Sequence, residues 1–145
     1  MNPSSLQLER AFFRKVLVEA LPRKPSTQPL TIESGVSAGR NDTNPARYQV
    51  SLTVRLPETA AEGAGYSAHI EVVGLFLADA IPPADRERLV PAHAATLLFG
   101  MVREMLASLT ARGPWPMVTL PTVSFAGIQL HAVSAEASKD ASTAE

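Results

Sequence analysis

The feature that most constrains this chain is an alternation of apolar and polar residues with a period of two, cleanest over residues 46–56. Tyr48, Val50, Leu52, Val54 and Leu56 fall on one side, and Arg47, Gln49, Ser51, Thr53 and Arg55 on the other. Successive side chains of a strand point to opposite faces, so this spacing predicts a half-buried strand. The same even-numbered phase recurs in three more segments. Residues 6–20 carry Leu6, Leu8, Phe12, Val16 and Val18; residues 30–38 carry Leu30, Ile32 and Val36; residues 66–77 carry Tyr66, Ile70, Val72 and Phe76. Odd positions hold Gln7, Glu9, Lys15, Glu19, Thr31, Glu33, Ser67, His69 and Glu71. One apolar and one wet face is the pattern of an antiparallel sheet covered on one side. Phe13, Leu17, Val73 and Leu75 break the phase and leave apolar spots on the outer face. Pro22, Pro25, a polar turn from Gly39 to Pro45, Pro57 and the loop around Gly63-Ala64-Gly65 separate the four strands.

After Pro82-Pro83 the period changes. A short helical turn is predicted over about 84–90, then Pro91, then a longer helix over about 92–111. Leu97, Leu98, Met101, Val102, Met105, Leu106 and Leu109 recur at spacings of three and four. They come in adjacent pairs, so the apolar arc is wider than one sheet contact needs. One side is expected to cover the sheet and the other, through Leu98, Met101, Val102 and Met105, to meet another subunit. Gly113-Pro114-Trp115-Pro116 stops the helix. Residues 117–124 then cross over in extended form, and a second helix is expected over about 125–136. The fold class is therefore α+β, a four-stranded antiparallel sheet with two helices on one face. One domain is expected over residues 1–133, followed by a small, polar, disordered tail over 134–145.

Composition narrows the function. Of 145 residues, 46% are hydrophobic, enough for a real core. The 13 Lys and Arg against 14 Asp and Glu give a net charge of −1, with no general pull on phosphate backbones. Arg10, Arg14, Lys15, Arg23 and Lys24 cluster early, but Glu9 and Glu19 are interspersed, so a solvated strand and loop is expected and not a nucleic-acid surface. The absence of cysteine removes disulfide, thiolate and zinc–thiolate chemistry. His69, His93 and His131 are too dispersed for a local metal box, and no phosphate loop or nucleophile elbow is present. Asp79, Asp85 and Glu87 flank a helix start, where carboxylates favour the positive dipole end. Arg103-Glu104, midway along the helix, reads as a solvated or a buried pair. No catalytic constellation, cofactor or metal site is expected. Without a basic start and apolar run at the N-terminus, or an uninterrupted apolar stretch of about 18 residues, the cytoplasm is the expected location and no membrane insertion is expected.

Three motifs in order resemble the SecB family of export chaperones. Leu98-Phe99-Gly100-Met101-Val102-Arg103-Glu104 is similar to that family's Leu-Phe-Pro-Tyr-Ala-Arg-Glu helix. Ala111-Arg112-Gly113-Pro114-Trp115-Pro116 resembles its Ser-Arg-Gly-x-Phe-Pro turn, and Leu120-Pro121-Thr122-Val123-Ser124-Phe125 its Leu-x-Pro-Val-Asn-Phe segment. Weaker likeness reaches back through Gly74-Leu75-Phe76 to Leu6-Gln7-Leu8-Glu9-Arg10. The resemblance implies a dimer of dimers, a homotetramer built through the long helix. It also implies an ATP-independent holdase that keeps unfolded preproteins export-competent and passes them to the SecA motor.

Clients of this family bind in extended form in apolar grooves beneath the crossover and second helix. Mapped here, the groove residues are Leu30, Ile32, Trp115, Met117, Leu120, Phe125 and Ile128, although core packing explains the same pattern equally well. Methionine and aromatic side chains suit pliable, sequence-tolerant contact. The family's acidic SecA-contact positions map to Lys15, Glu19 and His69, with Glu71 as a nearby acid. Only Glu19 retains the charge, which weakens complementarity toward SecA. Gly100 also stands where the family has proline. A chaperone dedicated to one partner, such as the antitoxin of a toxin–antitoxin system, is the competing expectation. An enzyme on the same scaffold would need a polar cleft with paired acid and base.

Overall fold

The computed structural model describes residues 2, 4–22, 25, 30–57 and 64–125. Four strands, β1 (Gln7–Ala20), β2 (Glu33–Arg40), β3 (Arg47–Leu56) and β4 (Tyr66–Leu77), are followed by one helix among the described residues, α1 (Pro83–Thr110). The sheet has the order β1-β4-β3-β2 and every neighbouring pair is antiparallel. The expected second helix lies outside the described residues from 126 onward, as do Ile128, His131 and the polar tail.

The even phase holds on the two inner strands. Tyr48, Val50, Leu52, Val54 and Leu56 of β3, with Tyr66, Ile70, Val72 and Phe76 of β4, form the core face against α1. β2 starts later than the sequence suggested, because Leu30 and Ile32 precede its first pair, Glu33 with Arg55. It also runs on through Arg40. The turn is made instead by Asn41, whose side-chain oxygen accepts the Thr43 and Asn44 N–H groups, and by Asn44, which accepts from Ala46.

β1 does not keep one phase. Its register against β4 shifts between Leu8 and Arg10 and again between Phe13 and Lys15. Each bulge inserts one unpaired residue and flips the side on which its successors fall. Between the bulges, Ala11 and Phe13 therefore share the core face with Gly74 and Val72, while Arg10 and Phe12 fall on the outer face opposite Leu75 and Val73, the last fully buried there. Phe12 is thus corrected from core to outer face, and Phe13 ceases to be an exception. The physical cause is Arg10, an even-numbered cation that unbroken pairing would drive into the core at high cost. Arg10 instead lies over the Phe12 ring, 5.2 Å from its centroid.

Pro91 does not divide the helical region: α1 is continuous from Pro83 to Thr110. Proline removes one ladder bond, here to the carbonyl of Glu87. Glu87 is exposed, so water can take that bond, while Pro91 itself is buried beside Val90, Ala94 and Ala95. Asp85 sits in the first turn, at the positive dipole end. By length and hydropathy α1 would pass for a membrane span, but Val90, Ala94, Ala95, Leu98, Phe99, Val102 and Leu106 are spent on the sheet.

Candidate functional site

The helix ends at Thr110, and the crossover that follows the Gly113-Pro114 turn is fastened at two places. The first is Tyr66, 2% exposed at the start of β4. Its hydroxyl accepts the Trp115 N–H at 3.0 Å and has the carbonyls of Thr110 and Trp115, each 3.2 Å away, as alternative acceptors for its own proton. The Trp115 indole N–H donates to the carbonyl of Leu21 at 2.9 Å, and the Leu21 N–H donates to the carbonyl of Gly65 at 2.8 Å. A circuit of hydrogen bonds thus joins the exit of β1, the entry of β4 and the crossover.

Two glycines make this geometry accessible. Gly65 adopts φ +80°, and a Cβ there would lie 2.7 Å from Trp115 Cδ1. A Cβ on Gly113 would run into the Tyr66 hydroxyl. The second fastening is Thr110, fully buried, whose hydroxyl donates to the carbonyl of Leu106 at 2.7 Å and accepts the Val118 N–H at 2.9 Å. Between the fastenings Met117 projects outward, 55% exposed.

The structure sorts the expected groove residues into different roles. Leu120 and Phe125 are buried in the core, and Phe125 packs edge-on against Phe99 with ring centroids 5.7 Å apart. Both belong to the core of the single chain, where the crossover folds back over α1. Trp115, Leu30 and Ile32 are half-buried against the same core, and Met117 is open. Ile128 lies outside the described residues. Two clefts flank the crossover. One, of about 440 Å³, is lined by Val16, Val18, Ala20, Tyr66, Leu109 and the Arg112–Pro114 turn. The other, of about 520 Å³, lies between Leu6, the His93–Leu97 side of α1 and residues 123–125.

The expected subunit contact also divides. Leu98 and Val102 are 0% exposed in the single chain, within the core between α1 and the sheet. Met101 and Met105 are half-buried, while Leu97, Leu109 and the open Gly100 lie on outward parts of the helix. Arg103 and Glu104 form no pair with each other. The Arg103 guanidinium lies over Phe99, 5.6 Å from its centroid, and reaches Thr122 Oγ1 at 3.4 Å. Its Nε is buried without a hydrogen-bond partner among the described residues.

On the outer face the register sets Lys15 beside Glu71, Leu17 beside His69 and Glu19 beside Ser67. His69 Nε2 and Glu71 Oε1 are 3.1 Å apart, and Glu19 is exposed. Among the described residues no group of His, Asp and Glu could hold a metal ion. Sequence reasoning missed the Tyr66 hydroxyl, Thr110 and the two glycines. The available signal was a tyrosine in a core phase, whose buried hydroxyl demands a partner.

A family model described as preprotein translocase subunit SecB matches residues 2–136. The chain is 28% identical over 122 residues to a protein-export protein SecB of Psychrobacter arcticus, covering 83% of this chain and 82% of that one. It is 30% identical over 115 residues to its counterpart in Bradyrhizobium diazoefficiens, covering 74% and 70%. Among solved structures, the fold is similar to a SecB-like chaperone of Mycobacterium tuberculosis in complex with a ChAD peptide from the HigA1 antitoxin. That match has a TM-score of 0.59 at 15% identity and covers 82% of this chain and 90% of the other.

Proposed function

The chain belongs to the SecB family, and from that premise we propose that it is an ATP-independent holdase for unfolded polypeptides, working in the cytoplasm as a homotetramer and not as an enzyme. The observation that carries this reading is an excess of uncovered apolar surface. Leu8 and Val16 lie on the core side of β1 yet are 42% and 39% exposed, and Leu97, Leu109 and Met117 are 49%, 39% and 55% exposed. Large apolar side chains grouped around clefts mark association surfaces. Leu97 and Leu109, with Met101 and Met105, supply an outward side of α1 through which subunits meet as a dimer of dimers. Leu30, Ile32 and Met117, flanking the Trp115 anchor, supply the contact surface for an extended client.

Delivery of precursors to SecA is the proposed destination of the held clients. A dedicated-partner reading has its own support in the outer face, where Lys15 and His69 stand at positions expected to be acidic. The antitoxin peptide bound by the structural neighbour points the same way. The test is capture of a permanently unfolded protein, reduced and carboxymethylated α-lactalbumin, followed by size-exclusion chromatography with light scattering. Co-elution with a tetramer is expected. A monomer that leaves the unfolded protein free overturns the holdase reading, and pull-down from cells separates a broad precursor set from a single partner.

A further inference from the structure

We propose that α1 crosses α1 of a second copy at Gly100, and that a His93–Glu104 pair exchanged between the copies keys the crossing; this rests on the tetramer reading above. The starting observation is a glycine in the middle of a helix. Glycine there is destabilising relative to alanine, so its presence is explained only if something needs the missing Cβ. Nothing among the described residues does, because a Cβ on Gly100 would meet open space within 4 Å. Gly65, Gly74 and Gly113, by contrast, each lie against a side chain of the same chain. Gly100 therefore leaves a notch on the outside of α1, open to another chain.

The notch has its complement on the same helix. His93, Leu97, Gly100 and Glu104 follow one another at spacings of four, three and four, which places them on one stripe. All four are exposed, Leu97 at 49%, while Leu98, Val102 and Leu106 take the other side of α1 into the core. In an antiparallel pair about a twofold axis, each step forward on one helix is a step back on the other. Seating Leu97 in the notch at Gly100 of the partner subunit therefore fixes the register. His93 precedes Leu97 by four and Glu104 follows Gly100 by four, so the same register sets His93 opposite Glu104 of the partner subunit. There the imidazole N–H donates to the carboxylate, a charge-assisted bond. Among the described residues neither side chain has a hydrogen bond or ion pair within its own chain. The neighbours three and four positions from Glu104 (Gly100, Met101, Ala107 and Ser108) are uncharged. Knob, notch and polar pair thus select one alignment, and the twofold axis repeats each of them.

Because Gly100 is open, Gly100→Leu should leave the single chain folded, with an unfolding midpoint at or above that of the wild type, since leucine favours helix. It fills the notch, and light scattering is expected to show the tetramer lost to smaller species. His93→Glu sets like charges opposite and should weaken the association about tenfold on dilution in sedimentation velocity. Adding Glu104→Lys to that variant should return the affinity to within about threefold of the wild type. The two positions lie eleven apart, about 16 Å along one helix, so only another copy can supply this rescue. If Gly100→Leu does not fold, the rescue series decides. A folded Gly100→Leu protein that keeps the wild-type mass, or a double variant no tighter than His93→Glu, overturns the crossing alone. Loss of α-lactalbumin capture by Gly100→Leu at unchanged mass also overturns it, and gives the face to clients. A monomeric wild type overturns the crossing and the tetramer reading together.

Discussion

Trp115 donates its indole N–H to the carbonyl of Leu21 at 2.9 Å across 94 positions of sequence, tying the crossover after α1 to the chain leaving β1. The expected consequences of breaking this bond are direct.

Trp115→Ala removes both the bond to Leu21 and the indole packed over Gly65. A loss of about 3 kcal/mol in stability is expected, the low end of large-to-small aromatic truncations, because the ring is half-buried. Capture of unfolded α-lactalbumin should weaken while light scattering still reports the wild-type mass. Full capture would show that the crossover takes no part in client binding.

Thr110→Val keeps the shape of the side chain but leaves the Val118 N–H without its acceptor. Stranding a buried donor costs about 1–3 kcal/mol, so the thermal midpoint should fall by several degrees. Thr110→Ser, which retains the hydroxyl, should recover most of the loss. Equal midpoints for Val and Ser would mean that the second fastening of the crossover is immaterial.

The β1 bulges make opposite forecasts for adjacent phenylalanines. Phe13→Ser strips a ring packed against the core and should cost about 2–3 kcal/mol. Phe12→Ser changes an outward ring and should cost less than about 1 kcal/mol. Urea denaturation of the two variants decides it. The reverse order of midpoints would return Phe12 to the core and remove the bulges.

Leu97→Asp and Met101→Asp place a charge on the outward side of α1 and should reduce the tetramer to smaller species in light scattering. Leu98→Asp puts the charge at a fully buried site and should unfold the chain, read as loss of the cooperative transition in circular dichroism. A folded, tetrameric Leu97→Asp protein would move the subunit contact off α1.

How much could be read from the sequence varies element by element. β3 was legible to within a residue because every even position is apolar and every odd one polar. β1 was misread in the middle, although Arg10 and Arg14 at even positions were a visible warning that the phase must break. Proline usually ends a helix, so the sequence alone sets a boundary at Pro91; the missing bond falls where Glu87 meets water. The wide apolar arc of α1 was detected, but periodicity reports the width of a stripe and not which half faces the sheet. Leu98 and Val102, expected at a subunit contact, are buried in the single chain. Trp115 was found as an aromatic near the expected groove, yet no pattern discloses that its N–H is already engaged 94 positions away.

The paired dislocations in β1 have a bearing on what can attach to its free rim. Unbroken strands offer donors and acceptors at even intervals, an invitation to any stray extended segment. Here the intervals are interrupted near Glu9 and Arg14. A uniform ribbon laid along the 14-residue strand falls out of step twice, whereas one bearing matching irregularities stays aligned. The margin of the sheet therefore works as a lock cut against casual polymerisation, a useful trait in a chaperone.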